Sequence, residues 1–451
     1  MTTPGSTISR RRVVISAAQA LAMGAVVGPR IARAGENGAT ASTLAAVQPA
    51  AAATAPPAMR GYRPVITPNG ATLPWKWVGG VKVFHLVAEP VDHELAPGLD
   101  ARCWGYNGRV HGPTIEAVEG DRVRIYVTNR LPAPTTVHWH GVRVPNGMDG
   151  VGGLTQPLIQ PGETFRYEFT LEQHGTLMYH SHHDEMTQMA LGQMGLFVIH
   201  PRDVDRASQV DRDYALLLSE WKVVPGTRRP DPNEMVEFNV LTLNARAFPG
   251  TAPLVAKTGE RVRIRIGNLS AMDHHPIHLH GHSFRVTATD GGPVPESAQW
   301  PETTTLVPVG STRTIEFVAN APGDWAMHCH MSHHVMNQMG HSTSNTVGVD
   351  AGAIDAAVSP LLPGYMTMGA DGMGDHGLHV ESGHHPVPEN SIPMVGGHGP
   401  FGYVTMGGMF TLLKVRDELP AHGDPGWYKH PAGTVASLAG ASELARDGVK
   451  S

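Results

Sequence analysis

Four His-x-His pairs set in a duplicated framework constrain this chain more than any other feature: His138-Trp-His140, His180-Ser-His182, His278-Leu-His280 and His328-Cys-His330. Side chains at i and i+2 of a strand share a face, so each pair can present two imidazoles to one metal. Around them, Gly120-Asp-Arg-Val-Arg-Ile-Tyr-Val-Thr-Asn129 returns as Gly259-Glu-Arg-Val-Arg-Ile-Arg-Ile-Gly-Asn268, 139 residues later. Gly162-Glu-Thr-Phe-Arg-Tyr-Glu-Phe169 returns as Gly310-Ser-Thr-Arg-Thr-Ile-Glu-Phe317 after 148. Offsets this close define two copies of one all-β unit of sandwich size, with period-2 runs such as Arg122 to Val127 as half-buried strands. Only 93 positions separate His182 from His275, which leaves no room for a third copy.

Composition narrows the function. The chain has 27 His and 20 Met against 2 Cys, which excludes a disulfide scaffold and points to a soft or borderline metal. Lys and Arg total 34 against 40 Asp and Glu, and no basic block lies beyond residue 34, so nucleic acid is not an expected partner. Ser9-Arg10-Arg11-Arg12, an apolar stretch from Val13 to Val27 and Ala32-Arg33-Ala34 read as a twin-arginine signal peptide over 1–34, with export to the periplasm or medium expected. The apolar stretch is too short to span a bilayer comfortably, so stable membrane insertion is not expected. Residues 35–74 form a linker or N-terminal arm, 75–202 the first domain, 203–350 the second, and 351–451 a C-terminal extension.

The second copy carries ligands that the first lacks. His275 lies three residues before His278, Cys329 lies inside its pair, His334 follows at five residues and Met339 at ten. Two neutral imidazoles, a thiolate and a long axial thioether make the ligand set of a blue-copper electron-transfer site. The aligned places in the first copy hold Thr135, Ser181, Met186 and Leu191, so no such site is expected there. Cys103 has no such company and reads as a buried apolar residue.

These motifs, taken in order as His-Trp-His-Gly, Tyr-His-Ser-His, His-Pro-Ile-His-Leu-His-Gly and His-Cys-His-x3-His-x4-Met, resemble the four copper signatures of the multicopper oxidases. The resemblance covers roughly residues 75 to 345 and is closest to two-domain, laccase-like members with the type 1 copper in the second domain. It implies two cupredoxin-like Greek-key β-sandwich domains. It makes His275, Cys329, His334 and Met339 the type 1 ligands, although the family usually has Gly before the axial residue and Gln338 stands here. It makes His138 and His278 ligands of a type 2 copper, and His140, His180, His182, His280, His328 and His330 ligands of a type 3 pair. It thereby implies four coppers per subunit: one type 1, one type 2 and two type 3. Dioxygen and a small reducing substrate, a phenol, aromatic amine or Cu(I), are the implied partners, and a homotrimer the implied assembly. Asp149, in Met-Asp-Gly, matches an acid this family places beside the trinuclear site, where it would relay protons or orient water; the alternative is a turn residue. Asp184 and Glu185 are weaker candidates for hydrogen bonds to ligands, and His183, His274, His282, His333 and His341 are neighbouring groups.

Two other functions fit part of the pattern. A two-domain copper nitrite reductase shares the sandwiches but needs three imidazoles at its catalytic copper and keeps its blue site in the first domain. A non-catalytic copper store or resistance protein fits the extension, where Met366, Met368, Met373, Met394, Met406 and Met409 alternate with His376, His379, His384, His385 and His398. Val404 to Val415 reads as a strand that packs back on the domains.

Overall fold

The computed structural model describes residues 62–203, 209–224, 226–236, 238–337, 396–421 and 423–450, with a few isolated positions from 356 to 392. The signal peptide, most of the arm, Gln338, Met339, His341 and most of the Met- and His-rich segment lie outside the described residues.

The first sandwich holds β1 (Trp75–Val78), β2 (Val81–Ala96), β3 (Leu99–Tyr106), β4 (Ile115–Val118), β5 (Arg122–Asn129), β6 (Thr164–Thr170), β7 (Gly175–His180) and β8 (Met194–His200). One sheet runs β1-β2-β5-β6 with β3 paired to β2, and the facing sheet runs β4-β8-β7. In β5, Val123, Ile125, Val127 and Asn129 are buried while Arg122 is exposed, the alternation expected of a strand with one face on a core. Trp139, Phe84, Tyr106, Tyr179 and Phe197 fill that core.

The second sandwich repeats the plan with β9 (Arg212–Trp221), β10 (Val240–Leu243), β11 (Leu254–Lys257), β12 (Arg261–Asn268), β13 (His275–Leu279), β14 (Arg285–Thr289), β15 (Gly292–Pro293), β16 (Thr304–Val307), β17 (Ser311–Val318) and β18 (Gly323–Cys329). β5 pairs β2 in parallel and β6 antiparallel, and β12 pairs β9 and β17 in the same senses, so the repeated sequence forms repeated pairings. Even the terminal Asn serves the same purpose. Asn129 Nδ2 donates to Ala133 O and Ile159 O at 2.9 and 2.8 Å, and Asn268 Nδ2 to Asp273 O and Val307 O at 3.0 and 2.9 Å. Each buried amide thus ties down the loop that leads to its copy's histidines.

The segment assigned by sequence to the C-terminal extension contributes a core strand. After a short hairpin, β19 (Gly397–Gly399) and β20 (Gly402–Val404), strand β21 (Phe410–Arg416) lies between β11 and β18 in the sheet β11-β21-β18-β13-β16. Phe410, Leu413 and Val415 are buried, and their apolar area is the reason the strand belongs to the sandwich rather than to an appendage. Met178, Met194, Leu196 and Val198 of the first sandwich pack on Ala215, Leu217 and Leu269 of the second. Cys103 is buried among Leu95, Val110 and Trp221, the apolar setting expected of it. Among the described residues no helix is long and apolar enough to cross a membrane.

Candidate metal centre

Strand parity sorts the second copy's candidate ligands into two groups. In β13, His275, Ile277 and Leu279 face the core, whereas His278 and the following His280 point the other way. In β18, Met327 and Cys329 face the core, and His328 and His330 take the opposite side. β13 and β18 pair with Ile277 opposite Cys329 and His278 opposite His328. A thiol group therefore lies inside the sandwich and an imidazole group on its outer face, one residue apart along the backbone.

Inside, His275, Cys329 and His334 converge and are all buried. Nδ1 of His275 lies 3.1 Å from Nδ1 of His334, and Cys329 Sγ lies 3.7 and 3.5 Å from these two nitrogens. Their outer nitrogens are held, His275 Nε2 by Ser270 Oγ at 2.7 Å and His334 Nε2 facing Asp273 Oδ2 at 3.4 Å. Burial lowers His275 to about 3 and raises the Cys329 thiol to about 12. Neutral imidazoles keep their lone pairs for a metal, and a bound cation would displace the thiol proton. The donor set, two nitrogens and one sulfur aimed at one point, fits a copper ion.

Outside, the four second-copy imidazoles His278, His280, His328 and His330 cluster with ring centroids 4.7–5.6 Å apart. The first-copy imidazoles His138, His140, His180 and His182 do the same at 5.4–6.1 Å. Their hydrogen bonds correspond. His138 Nδ1 donates to Asp149 O at 2.8 Å and His278 Nδ1 to Thr303 O at 2.7 Å, and a carbonyl can only accept, so each presents a bare Nε2. His180 and His328 each donate from Nδ1 to the next residue's carbonyl at 2.8 Å. Burial holds His140, His180, His280 and His328 below the ordinary imidazole value, which keeps their lone pairs available to a metal. Among the described residues no ring contact joins the two groups, although His140 Nε2 reaches the second sandwich at Gly310 O, 2.8 Å away.

Asp149 has its Oδ1 3.4 Å from His138 Nδ1. Glu185 Oε1 is 3.1 Å from His182 Nε2, whereas Asp184 takes a left-handed turn at φ 46°. His274 accepts from Val309 N, and His282 packs against Phe317 and Trp325 with its Nδ1 3.3 Å from His280 O.

Met409 is the residue that sequence reasoning gave no role at this centre. It is fully buried in the same cluster as Cys329, its carbonyl accepts from Cys329 N at 3.1 Å, and its amide donates to His334 O at 2.9 Å. Since His328 pairs with Phe410, Met409 stands opposite Cys329, and opposite residues of antiparallel strands share a face. Gly408 makes the approach possible: its φ is +58°, and a Cβ there would lie 2.4 Å from His334 O. Gly408-Met409-Phe410, a Gly-Met step directly before a strand, was the available signal.

The paired sandwiches and buried His-His-Cys set define a cupredoxin-type metalloprotein, and comparison with known proteins makes the assignment specific. Multicopper oxidase family models match residues 88–204 and 225–348, and the chain belongs to that family. It is 30% identical to Laccase-1 of Botryotinia fuckeliana over 59% of this chain and 52% of the relative. To Multicopper oxidase MmcO of Mycobacterium tuberculosis it is 33% identical over 42% and 43% of the two chains. The chain thus spans about half the length of these curated relatives. Blue Copper Oxidase from Nitrosomonas europaea superposes with TM-score 0.54 at 26% identity, over 74% of this chain and 85% of that one. Multicopper Oxidase mgLAC gives 0.55 at 27%, over 75% and 87%.

Proposed function

We propose that this chain is a laccase-like oxidase that takes single electrons from a small reductant and delivers them to dioxygen. The observation that carries the reading is the junction at His328-Cys329-His330, where one tripeptide supplies a ligand to the interior thiolate site and two to the outer imidazole group. When bound, copper supplies one-electron acceptance at the thiolate and four-electron reduction of dioxygen to water where eight imidazoles meet. Four ions per subunit match this donor count, with His138 and His278 on the type 2 ion and the other six paired imidazoles on the type 3 pair. His334 offers the outer approach to the interior site, and Asp273 beside its Nε2 is set to hold the hydroxyl or amine hydrogen of a phenol or aromatic amine. Cu(I) is the other reductant class. Asp149, hydrogen-bond distance aside, lies close enough to His138 to hand protons toward the imidazole group. For the axial thioether of the interior site we favour Met409 over Met339.

Neither quartet is complete alone, and each is partly open: His138, His182, His278 and His330 all retain solvent exposure. The simplest closed arrangement sets the first quartet of one subunit against the second quartet of the next, and a ring of three would hold three clusters. The twin-arginine segment supports export of the folded, loaded protein to the periplasm or medium. The nitrite reductase alternative is not favoured, since eight paired imidazoles exceed what it uses.

The test is optical and stoichiometric. The loaded protein should show an intense visible thiolate band and a near-ultraviolet shoulder that both vanish on reduction, with four coppers per chain. A visible band without the shoulder sinks the cluster. Mixing a His138→Ala/His140→Ala chain with a His328→Ala/His330→Ala chain should restore partial oxidase activity. Inactive mixed oligomers, or a fully active monomer by light scattering, would overturn the shared site.

A further inference from the structure

The first sandwich has a filled centre where the second has its metal ligands. Thr135 and Ser181, aligned with His275 and Cys329, lie with their hydroxyl oxygens 3.3 Å apart, close to the 3.7 Å between Cys329 Sγ and His275 Nδ1. The third member is not Met186, which is 63% exposed, but Gln188, which is fully buried in the short helix Glu185–Ala190. Gln188 Oε1 accepts from Thr135 Oγ1 at 2.7 Å and from Ser181 Oγ at 2.5 Å, while Nε2 donates to Pro134 O at 2.8 Å. Every hydrogen-bonding atom of this amide is used.

The two hydroxyls belong to the segments that carry the first imidazole quartet. Thr135 lies three residues before His138, and Ser181 lies between His180 and His182. In the second sandwich a metal bridging His275 and Cys329 would fix the same two segments relative to each other. In the first, a neutral amide takes that place and leaves no donor set for an ion.

We infer that Gln188 is a positioning residue that sets the spacing between the His138/His140 and His180/His182 pairs, as an amide cross-link in the place of a metal. This role rests on the proposed three-copper cluster. Gln188 touches no reacting group and acts only through Thr135, Ser181 and the Pro134 carbonyl. A side chain of similar reach without polar atoms keeps the packing and loses the cross-link. A carboxylic acid, protonated in so buried a place, keeps both an acceptor oxygen and a donor.

The experiment compares the full-length copper-loaded chain with Gln188→Leu and Gln188→Glu after dialysis against a competing chelator. Copper per chain, the visible band, the near-ultraviolet shoulder and the type 2 copper signal in electron paramagnetic resonance are read. In Gln188→Leu the visible band should match the parent, while cluster affinity for copper falls by roughly 10- to 100-fold, the range for residues that hold a ligand in place. Gln188→Glu should recover the shoulder and the type 2 signal. If Gln188→Leu matches the parent in copper content, shoulder and hyperfine splitting, the role is overturned. Should it lose the visible band as well, the triple variant Thr135→Val/Ser181→Ala/Gln188→Leu, which removes both hydroxyls together with the amide that pairs them, is read by the same criteria. A parent chain with the visible band but neither cluster signal would remove the cluster, and this role with it.

Discussion

Replacing Met409 by Leu tests a single donor atom. Met409 is fully buried against Cys329, so truncation to Ala would leave a cavity and cost about 2–5 kcal/mol. Leu conserves the volume for less than about 1.5 kcal/mol, which leaves the sandwich folded and the His275, Cys329 and His334 donors in place. Met409→Leu is therefore expected to stay blue. Its potential should rise, because an axial thioether that favours Cu(II) over Cu(I) by one to two tenfold steps corresponds to about 60–120 mV at 59 mV per tenfold step of a one-electron couple. A mediator titration followed at the visible band reads this directly. Met339→Leu is the paired control and should leave the potential where it was. An unchanged or lowered potential in Met409→Leu, or a rise confined to Met339→Leu, refutes the assignment.

Cys329→Ser should abolish the visible band and turnover in spectra and oxygen-uptake assays, with the copper-free fold weakened by no more than the roughly 1–3 kcal/mol of a buried, unpaired hydroxyl. Gly408→Ala, forced to a φ of +58° with its Cβ on His334 O, should lower the melting temperature and shift the visible band. Glu220, raised from 4.5 to about 8 by burial and then by Asp273, holds a proton in the fold that the unfolded chain releases. Its contribution to stability is thus fully present below about 4.5 and lost as pH rises through about 8, and Glu220→Gln should flatten that slope in urea titrations of the copper-free protein.

The two sandwiches and both imidazole groups were legible because the strand period is two. A His-x-His spacing states in one dimension what the sheet enforces in three, and the residue between the histidines faces the opposite side. Trp139 and Cys329 show both uses of that middle place, one filling a core and the other aiming a thiol into it. The His-x4-Met spacing points to Met339, which lies outside the described residues, whereas the residue the fold sets opposite Cys329 is Met409, directly before the strand that begins at Phe410. Gln188 was illegible for a different reason. Its neighbours in sequence give it a surface helix, and only the packed fold turns its amide onto two hydroxyls from distant segments. Asp273 likewise gains meaning only from the amide of Asn268, which holds its carbonyl, and from the imidazole of His334.

A long segment can interrupt the interior site because chain length is a weak penalty there. Lengthening the connection from the four residues of the His-x4-Met spacing to the 70 residues from 338 to 407 is about four doublings, or roughly 2.5 kcal/mol by loop closure alone. Three hydrogen bonds clamp the two ends of that segment together: Gly408 N to Asn337 Oδ1 at 2.7 Å, Gly407 N to Val335 O at 2.7 Å, and Met409 N to His334 O at 2.9 Å. At about 1 kcal/mol each they offset the closure term. The clamp spans His334 to Met409, so the residues that close the insertion are the residues that shape the thiolate site. The clamp therefore holds the donor geometry independently of the sequence between its two ends.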